Sequence, residues 1–258
     1  MSANNRVVLD SCIDAFKKDN ELAGLSDPDT FEIFTNLQIT KDNDLDISDI
    51  EHSIVDEGKD GGIDSFIILA NNEYVYTIED LADIDFAENS IVKVYISQSK
   101  IETTFGEGAF DKLNISMPVI LDFEKQGSAL SERFNDDLVE KILLFRAVWE
   151  KAIIKSCTVR ITYSYSCKAN EIKINETIES KRKQIIGMTE QHLNGASITF
   201  DLYSAKELLG LYRKKKVDSL VLKLKENPVS IKFKNNDYCH IGAVSLKDYH
   251  DLIVDAEN

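Results

Sequence analysis

The segment 91–100 limits the fold of this chain more than any other, because apolar and polar residues alternate along most of it. Side chains two residues apart on a strand share a face. One face of this segment therefore carries three apolar side chains, followed by Gln98 and Lys100. The pattern predicts a strand whose buried face ends in two polar groups. Polar groups on a core-facing row cost free energy unless they serve one another or a ligand.

A second strand is predicted just after a glycine pair. The glycines at 61–62 are a turn signal, and the run 63–69 that follows is mostly apolar. Asp64 stands at the start of one face of this run. If the two strands pair antiparallel, the start of one lies beside the end of the other. We therefore expect Asp64, Gln98 and Lys100 to meet at one edge of a sheet.

Helix and strand patterns alternate along the rest of the chain, which indicates an α/β fold and not an all-β fold. We expect one domain over 1–258, with a helical insertion near 130–155. The predicted helices cover 6–22, a segment opened by Asp27 and Pro28, 107–114, 130–155, 176–194, 205–212 and 246–254. The further predicted strands cover 52–55, 74–78, 158–166, 198–202, 220–234 and 240–244.

The charge of the chain is unevenly distributed. The formal net charge of −15 is unusual for a nucleic-acid-binding protein. Residues 1–129 hold 9 Lys and Arg against 27 Asp and Glu, whereas residues 130–258 hold 21 against 18. Two basic clusters, 181–183 and 213–216, lie in the second half. They are either solvated helix surface or a phosphate-contacting rim around an acidic centre.

Other features point to a cytoplasmic protein without a membrane span. No run of about 18 apolar residues occurs, and the N-terminus lacks the apolar core of a signal peptide. The four cysteines form no CxxC pair, so we expect free thiols and no zinc site.

The predicted cluster suits phosphodiester hydrolysis. The carboxylate of Asp64 and the amide oxygen of Gln98 could bind Mg²⁺ or Mn²⁺. Lys100 could orient or deprotonate the attacking water, or offset charge that develops at phosphorus. Glu32, on an earlier helix, could supply a further carboxylate. Two alternatives stay open: Asp64 could brace the glycine turn, and Glu32 could be an ordinary exposed helix residue.

These residues carry a family resemblance. Asp60-Gly61-Gly62-Ile63-Asp64, followed by Gln98-Ser99-Lys100 at a strand end, resembles the PD-(D/E)xK nuclease superfamily in its QxK variant. Residues 95–100, Phe105 and residues 106–113 are similar to the N-terminal domain of abortive-infection phage-resistance (AIPR) proteins, within a similarity that spans roughly 28–113. In the family pattern Asp64 matches the metal-binding Asp, Gln98 the usual Glu or Asp, Lys100 the catalytic Lys, and Glu32 a helix-borne Glu.

The resemblance implies a restriction-endonuclease-like mixed sheet flanked by helices. It also implies a Mg²⁺- or Mn²⁺-dependent nuclease of anti-phage defence, with DNA favoured over RNA as substrate. Such proteins continue into a second domain, so a C-terminal domain of a longer parent protein is one expected partner, and a second copy of the chain is another. The alternative function is a catalytically silent nuclease fold that binds nucleic acid or senses a phage component.

Overall fold

A computed structural model of the chain describes residues 4–55, 58–125, 127–214, 225, 228–232, 238–247 and 249–250. The chain divides into two compact units, residues 1–214 and 215–258. The first unit is an α/β structure with a five-stranded mixed sheet between helices, which confirms the predicted fold class and is consistent with a restriction-endonuclease-like layout. That residues 1–258 form one domain stays a prediction.

The described helices and strands follow the predicted alternation closely. The α-helices are α1 (Asn5–Asp19), α2 (Asp27–Ile39), α3 (Ile47–Ser53), α4 (Glu107–Ile120), α5 (Gly127–Ser131), α6 (Asp136–Ile154), α7 (Glu176–His192) and α8 (Ala205–Arg213). The strands of the first unit are β1 (Ser65–Ala70), β2 (Glu73–Tyr74), β3 (Ile91–Lys100), β4 (Thr158–Cys167) and β5 (Ser197–Tyr203). Two 3-10 helices lie at Lys41–Asn43 and Glu79–Ala82. In the second unit, β6 (Val229–Lys232) pairs antiparallel with β7 (Tyr238–Ile241).

The sheet order β2-β1-β3-β4-β5 fixes the position of the predicted cluster. β1 runs antiparallel to both β2 and β3, whereas β3, β4 and β5 run parallel. In the β1–β3 register Ser65 faces Ser97, so Asp64 falls beside Gln98. The start of β1 and the end of β3 therefore meet at one edge of the sheet, as predicted.

Both faces of the sheet are covered by helices. On one face, Phe66 and Ile96 belong to a large apolar core that includes Phe110 of α4 and Phe145 of α6. On the other face, Ile67 packs in a smaller cluster with residues of α2 and α3. Burying each large apolar side chain contributes about 1.5–3 kcal/mol, so packing on two sides makes the sheet a rigid support for its edge.

Two strand predictions are wrong. Of the strand predicted over 74–78, Tyr74 is the one residue that lies in a strand, β2. The other wrong prediction has a local cause. Residues 52–55, expected to be a strand, lie at the end of helix α3 and just after it. Asp46 and Asp49 form a reciprocal capping box that opens this helix, with both side chains bound to backbone N–H groups at 2.9 Å. The cap stabilises the first turn of α3. The side chain of Ile50, which lies on this helix, is completely buried.

The other predictions from the sequence are confirmed in part. Cys12, Cys157 and Cys167 are free, as expected. The predicted helical segment near 130–155 is observed as α5 and α6. The strand expected over 220–234 and the last expected helix fall largely on residues outside the described ranges. No described helix combines the length and apolar character needed to cross a bilayer.

Candidate active site

Asp64 and Lys100 form the centre of the candidate site. The Nζ of Lys100 lies 3.3 Å from Oδ1 and 3.2 Å from Oδ2 of Asp64. The backbone N–H of Ser99 donates to the same Oδ2 at 2.8 Å. The side chain of Asp64 is 11% exposed and that of Lys100 is 39% exposed. The carboxylate is therefore held from two sides, and the ammonium keeps access to solvent.

The charge of Asp64 is incompletely compensated by its protein partners. Burial raises the pKa of the carboxyl above its ordinary value. The positive charge of Lys100 and the Ser99 N–H act in the opposite direction, whereas the neighbouring Asp60 carboxylate adds to the rise. Because the pKa stays raised despite Lys100, the ionised carboxylate would gain from a further positive charge.

Gln98 contributes a buried hydrogen-bond acceptor to the same edge. Its side chain is 2% exposed, and its Oε1 has no hydrogen-bond partner among the residues that the structure describes. A buried acceptor left without a partner costs about 1–3 kcal/mol. The Gln98 oxygen bears this cost and lies beside a carboxylate, so it is suited to bind a cation.

The glycine turn before β1 allows the chain to pass close to α4. Gly61 has φ +64° and Gly62 has φ +84°, both in the left-handed region. A Cβ atom on Gly62 would lie 2.6 Å from Cβ of Lys112. The carboxylate that braces this turn belongs to Asp60, whose Oδ1 accepts from the Gly62 N–H at 2.7 Å. The alternative that Asp64 braces the turn is therefore wrong, and its carboxylate serves the end of β3 instead.

A cavity of about 330 Å³ opens at this end of β3. Its lining contains two groups that sequence reasoning did not single out, Glu102 and Lys112. Glu102 continues the alternating row of Gln98 and Lys100 by one more step, so extending that row beyond the strand would have found it. The other lining residues are Gln98, Lys100, Gly106, Gly108, Ala109 and Tyr165. Asp64 does not line this cavity but is hydrogen-bonded to Lys100, which does.

Tyr165 forms part of the cavity floor. It lies beside Gln98 in the parallel register of β3 and β4, and it is 1% exposed. The backbone N–H of Gly106, at the start of α4, donates to its hydroxyl oxygen at 3.2 Å. Burial raises the pKa of Tyr165 to about 12, so the hydroxyl stays protonated at neutral pH. Tyr165 therefore packs in the sheet and also anchors the first turn of α4.

Glu32 lies on α2 and is 9% exposed, so the alternative of an ordinary exposed helix residue is wrong. The hydroxyl of Thr35, one turn later, is 2.8 Å from that of Ser99. After the end of α2, Asn43 contacts Tyr95. Helix α2 therefore runs antiparallel to β3, so Glu32 lies towards the Lys100 end of that strand. However, α2 covers the face of the sheet opposite to the one that carries Gln98 and Lys100. The role of Glu32 as a metal ligand stays a prediction.

The basic clusters are largely charge-balanced where they are described. Lys181 makes ion pairs with Glu107 at 3.1 Å and Asp111 at 2.7 Å, beside the start of α4. Lys214 pairs with Asp42 at 3.1 Å. Residues 215–216 lie outside the described ranges. One interpretation of the basic clusters is a phosphate-contacting rim, and Lys181 is the member that lies near the cavity. Its partners in the structure are carboxylates.

The donor set at this edge is mixed. Within the described parts of the chain, no group of three or more His, Cys, Asp and Glu side chains could hold a metal ion. Mg²⁺ commonly takes one or two carboxylates and completes its shell with water and substrate phosphates. Asp64 and the amide of Gln98 fit that coordination pattern. The Glu102 carboxylate lines the same cavity as Gln98.

Comparison of the chain with models of protein families, with curated proteins and with solved structures finds no match. Membership of the AIPR family and of the PD-(D/E)xK superfamily stays a prediction that rests on the motif residues themselves.

Proposed function

We propose that this chain is a metal-dependent nuclease that hydrolyses phosphodiester bonds, with DNA favoured over RNA as substrate. The observation that carries the proposal is the approach of Lys100 to Asp64, at 3.2 Å, on the strand edge where Gln98 has a buried oxygen without a described partner. An ammonium, a carboxylate and a neutral oxygen ligand at one place suit metal-assisted hydrolysis of a phosphodiester.

Each residue has a role that follows from its surroundings. Asp64 and Gln98 would hold Mg²⁺ or Mn²⁺, which when bound polarises the phosphate and lowers the pKa of a bound water. The Ser99 N–H keeps the Asp64 carboxylate oriented, so little reorganisation is needed for it to act as a ligand. Lys100, with its exposed ammonium beside the cavity, is suited to orient the attacking water and to offset charge at phosphorus.

The wider role rests on the resemblance alone. Residues 95–100, Phe105 and residues 106–113 resemble AIPR proteins, and this resemblance supports a place in anti-phage defence. A C-terminal domain of a longer parent protein remains a proposed partner on the same ground. A second copy of the chain is a further proposed partner, separate from the resemblance.

A second candidate function is a catalytically silent nuclease fold that binds nucleic acid or senses a phage component. The observation that favours it is the closed ion pair, in which Lys100 contacts both oxygens of Asp64. The surplus of acidic residues over 1–129 and the neutral Gln98 point the same way.

Incubation with supercoiled plasmid separates the two candidates. The nuclease proposal expects nicked and linear products in Mg²⁺ or Mn²⁺, none with a chelator, and none from Asp64→Ala with either metal. Binding of the plasmid without products in either metal, across pH 6–9, would favour the silent fold. A single-stranded RNA substrate, run in parallel, tests the preference for DNA.

A further inference from the structure

The start of β3 carries a second cavity, on the opposite face of the sheet from Gln98 and Lys100. It has a volume of about 260 Å³. Lys93 and Arg160 both line it, and they are partners in the parallel register of β3 and β4. Lys93 is seven residues before Lys100, so the two lysines are about 23 Å apart along the strand at 3.3 Å per residue.

The two cations lack a carboxylate between them. Among the described residues, the hydrogen-bond partners of the Lys93 Nζ are two neutral oxygens, Oδ1 of Asn43 at 2.7 Å and Oδ1 of Asn72 at 2.8 Å. The guanidinium of Arg160 makes no hydrogen bond or ion pair with any part of the chain that the structure describes. The one carboxylate on the cavity, that of Asp42, is paired with Lys214 at 3.1 Å.

Like charges at paired positions on neighbouring strands destabilise a sheet. Burial lowers the pKa of Lys93, and the proximity of Arg160 lowers it further, whereas the Asp42 carboxylate acts in the opposite direction. An anion between the two side chains would remove the repulsion and supply the missing counter-charge.

The rest of the lining adds hydrogen-bond donors. Tyr95 presents a hydroxyl, whose oxygen accepts from Nδ2 of Asn43 at 3.0 Å. Thr162 lies next to it in the register and adds a second hydroxyl. A planar guanidinium, an ammonium and two hydroxyls offer more donors than a carboxylate can accept, and they suit the three or four oxygens of a phosphate group.

We propose that this cavity, lined by Lys93, Tyr95, Arg160 and Thr162, binds a phosphate group. Its volume is below that of pockets for drug-sized ligands, which suits inorganic phosphate or a small phosphate ester. The phosphate could come from a free small molecule or from the backbone of a nucleic acid. The site is separate from the Asp64–Lys100 edge and does not depend on nuclease activity.

Titration calorimetry with sodium phosphate tests the site, with sodium chloride of equal ionic strength as the reference. The wild type should bind phosphate saturably and gain thermal stability in it. Arg160→Gln should weaken binding at least tenfold and remove that gain, while the phosphate-free variant is as stable as the wild type or more so. Arg133→Gln, which changes an exposed arginine elsewhere, should behave as the wild type.

Arg160 is exposed, so its replacement should not disturb folding, and a stable Arg160→Gln variant keeps the test decisive. Asp64→Asn should leave phosphate binding unchanged, which separates this site from the candidate active site. A weaker affinity of Arg160→Gln for a short DNA duplex would identify the backbone as the source of the phosphate, and an unchanged affinity would identify a free phosphate. Equal phosphate binding by the wild type and Arg160→Gln, or no binding beyond the chloride reference, would overturn the proposal.

Discussion

The two ends of β3 each carry a lysine, and their surroundings differ in one decisive respect. Lys100 lies 3.2 Å from the Asp64 carboxylate, whereas Lys93 lies 2.7 Å and 2.8 Å from two neutral amide oxygens and beside Arg160. At the first end a cation offsets part of the charge of a buried carboxylate. At the second end two cations share a cavity without a described counter-ion between them.

The partner of each lysine, and not the lysine itself, therefore sets the chemistry of each end. A lysine beside a carboxylate whose pKa is still raised suggests that the first end can take a further cation. A lysine beside an arginine suggests that the second end takes an anion. Changes that remove one charge at a time should therefore have different consequences at the two ends.

The largest expected effect concerns catalysis at the Lys100 end. Lys100→Ala should lower plasmid cleavage by about 10²–10⁴-fold, because it removes the group assigned to proton transfer and charge stabilisation. Plasmid binding, measured by filter retention in Ca²⁺, should change little, since phosphate contacts elsewhere hold the nucleic acid. The matched control is Lys125→Ala, an exposed lysine paired with Asp122. Cleavage by Lys100→Ala at the control's rate would assign the activity to another site.

The next effect concerns the turn that positions Asp64. Gly62→Ala should destabilise the protein by about 1–3 kcal/mol, because a Cβ there meets Lys112 at 2.6 Å and the backbone has φ +84°. Chemical denaturation measures the change. Gly187→Ala serves as the control, since nothing lies within 4 Å of its added Cβ and a helical alanine should stabilise by roughly 0.5–1 kcal/mol. Equal stability of the two variants would contradict the tight approach to α4.

A third pair of variants contrasts the two ends directly. Lys100→Met should cost about 1 kcal/mol at pH 7, since it leaves the Asp64 carboxylate without its ammonium and the pair is only partly buried. Arg160→Gln should cost nothing, because it removes repulsion from Lys93. Denaturation of both variants and the wild type in one buffer gives the comparison, and a larger cost for Arg160→Gln would reverse it.

The cost of Lys100→Met should depend on pH in a fixed direction. A carboxyl whose folded pKa is raised contributes stability below its unfolded pKa and loses it as the pH rises through the folded pKa. Lys100 lowers the pKa of Asp64, so its removal raises that pKa further. The cost should therefore be present above the folded pKa of Asp64 and should disappear once the carboxyl is protonated in acid. A cost independent of pH would assign the effect to packing of the lysine stem.

The smallest expected effect is on metal affinity. Gln98→Glu should tighten Mg²⁺ binding several-fold, on the order of 1 kcal/mol, because a carboxylate is a stronger ligand for a hard cation than an amide. Without metal the same variant should be less stable than the wild type, since two carboxylates then lie side by side at the β1–β3 edge. Thermal melts across a Mg²⁺ series measure both effects, with Gln191→Glu, on an exposed helix position, as the control.

Much of this arrangement follows from local sequence patterns. The alternating row that ends in Gln98 and Lys100 predicts β3 from end to end, and the glycine pair places Asp64 at the start of β1. The antiparallel pairing then follows from the matching of two rows with polar ends. These predictions succeed because period-two alternation and turn residues act within a few positions of one another.

Other parts depend on contacts that are distant in sequence. The meeting of Lys93 with Arg160 arises from the register of two parallel strands that are 67 residues apart, which no local pattern encodes. The capping box of α3 outweighs the β-like residues at 52–55, and Asp60 takes the turn-bracing role that Asp64 could have had. In each case a tertiary or capping interaction selects between alternatives that the sequence leaves open.

The most direct test of the central claim is the position of a bound metal in crystals soaked in Mn²⁺, read from anomalous scattering. A metal site at this edge predicts a peak in contact with both a carboxylate oxygen of Asp64 and Oε1 of Gln98. The Lys100 ammonium should then have moved away from at least one Asp64 oxygen. The peak should be absent from Asp64→Asn crystals grown in the same condition. A fully occupied peak elsewhere, or an unchanged 3.2 Å Asp64–Lys100 ion pair at saturating Mn²⁺ with an oligonucleotide present, would contradict it.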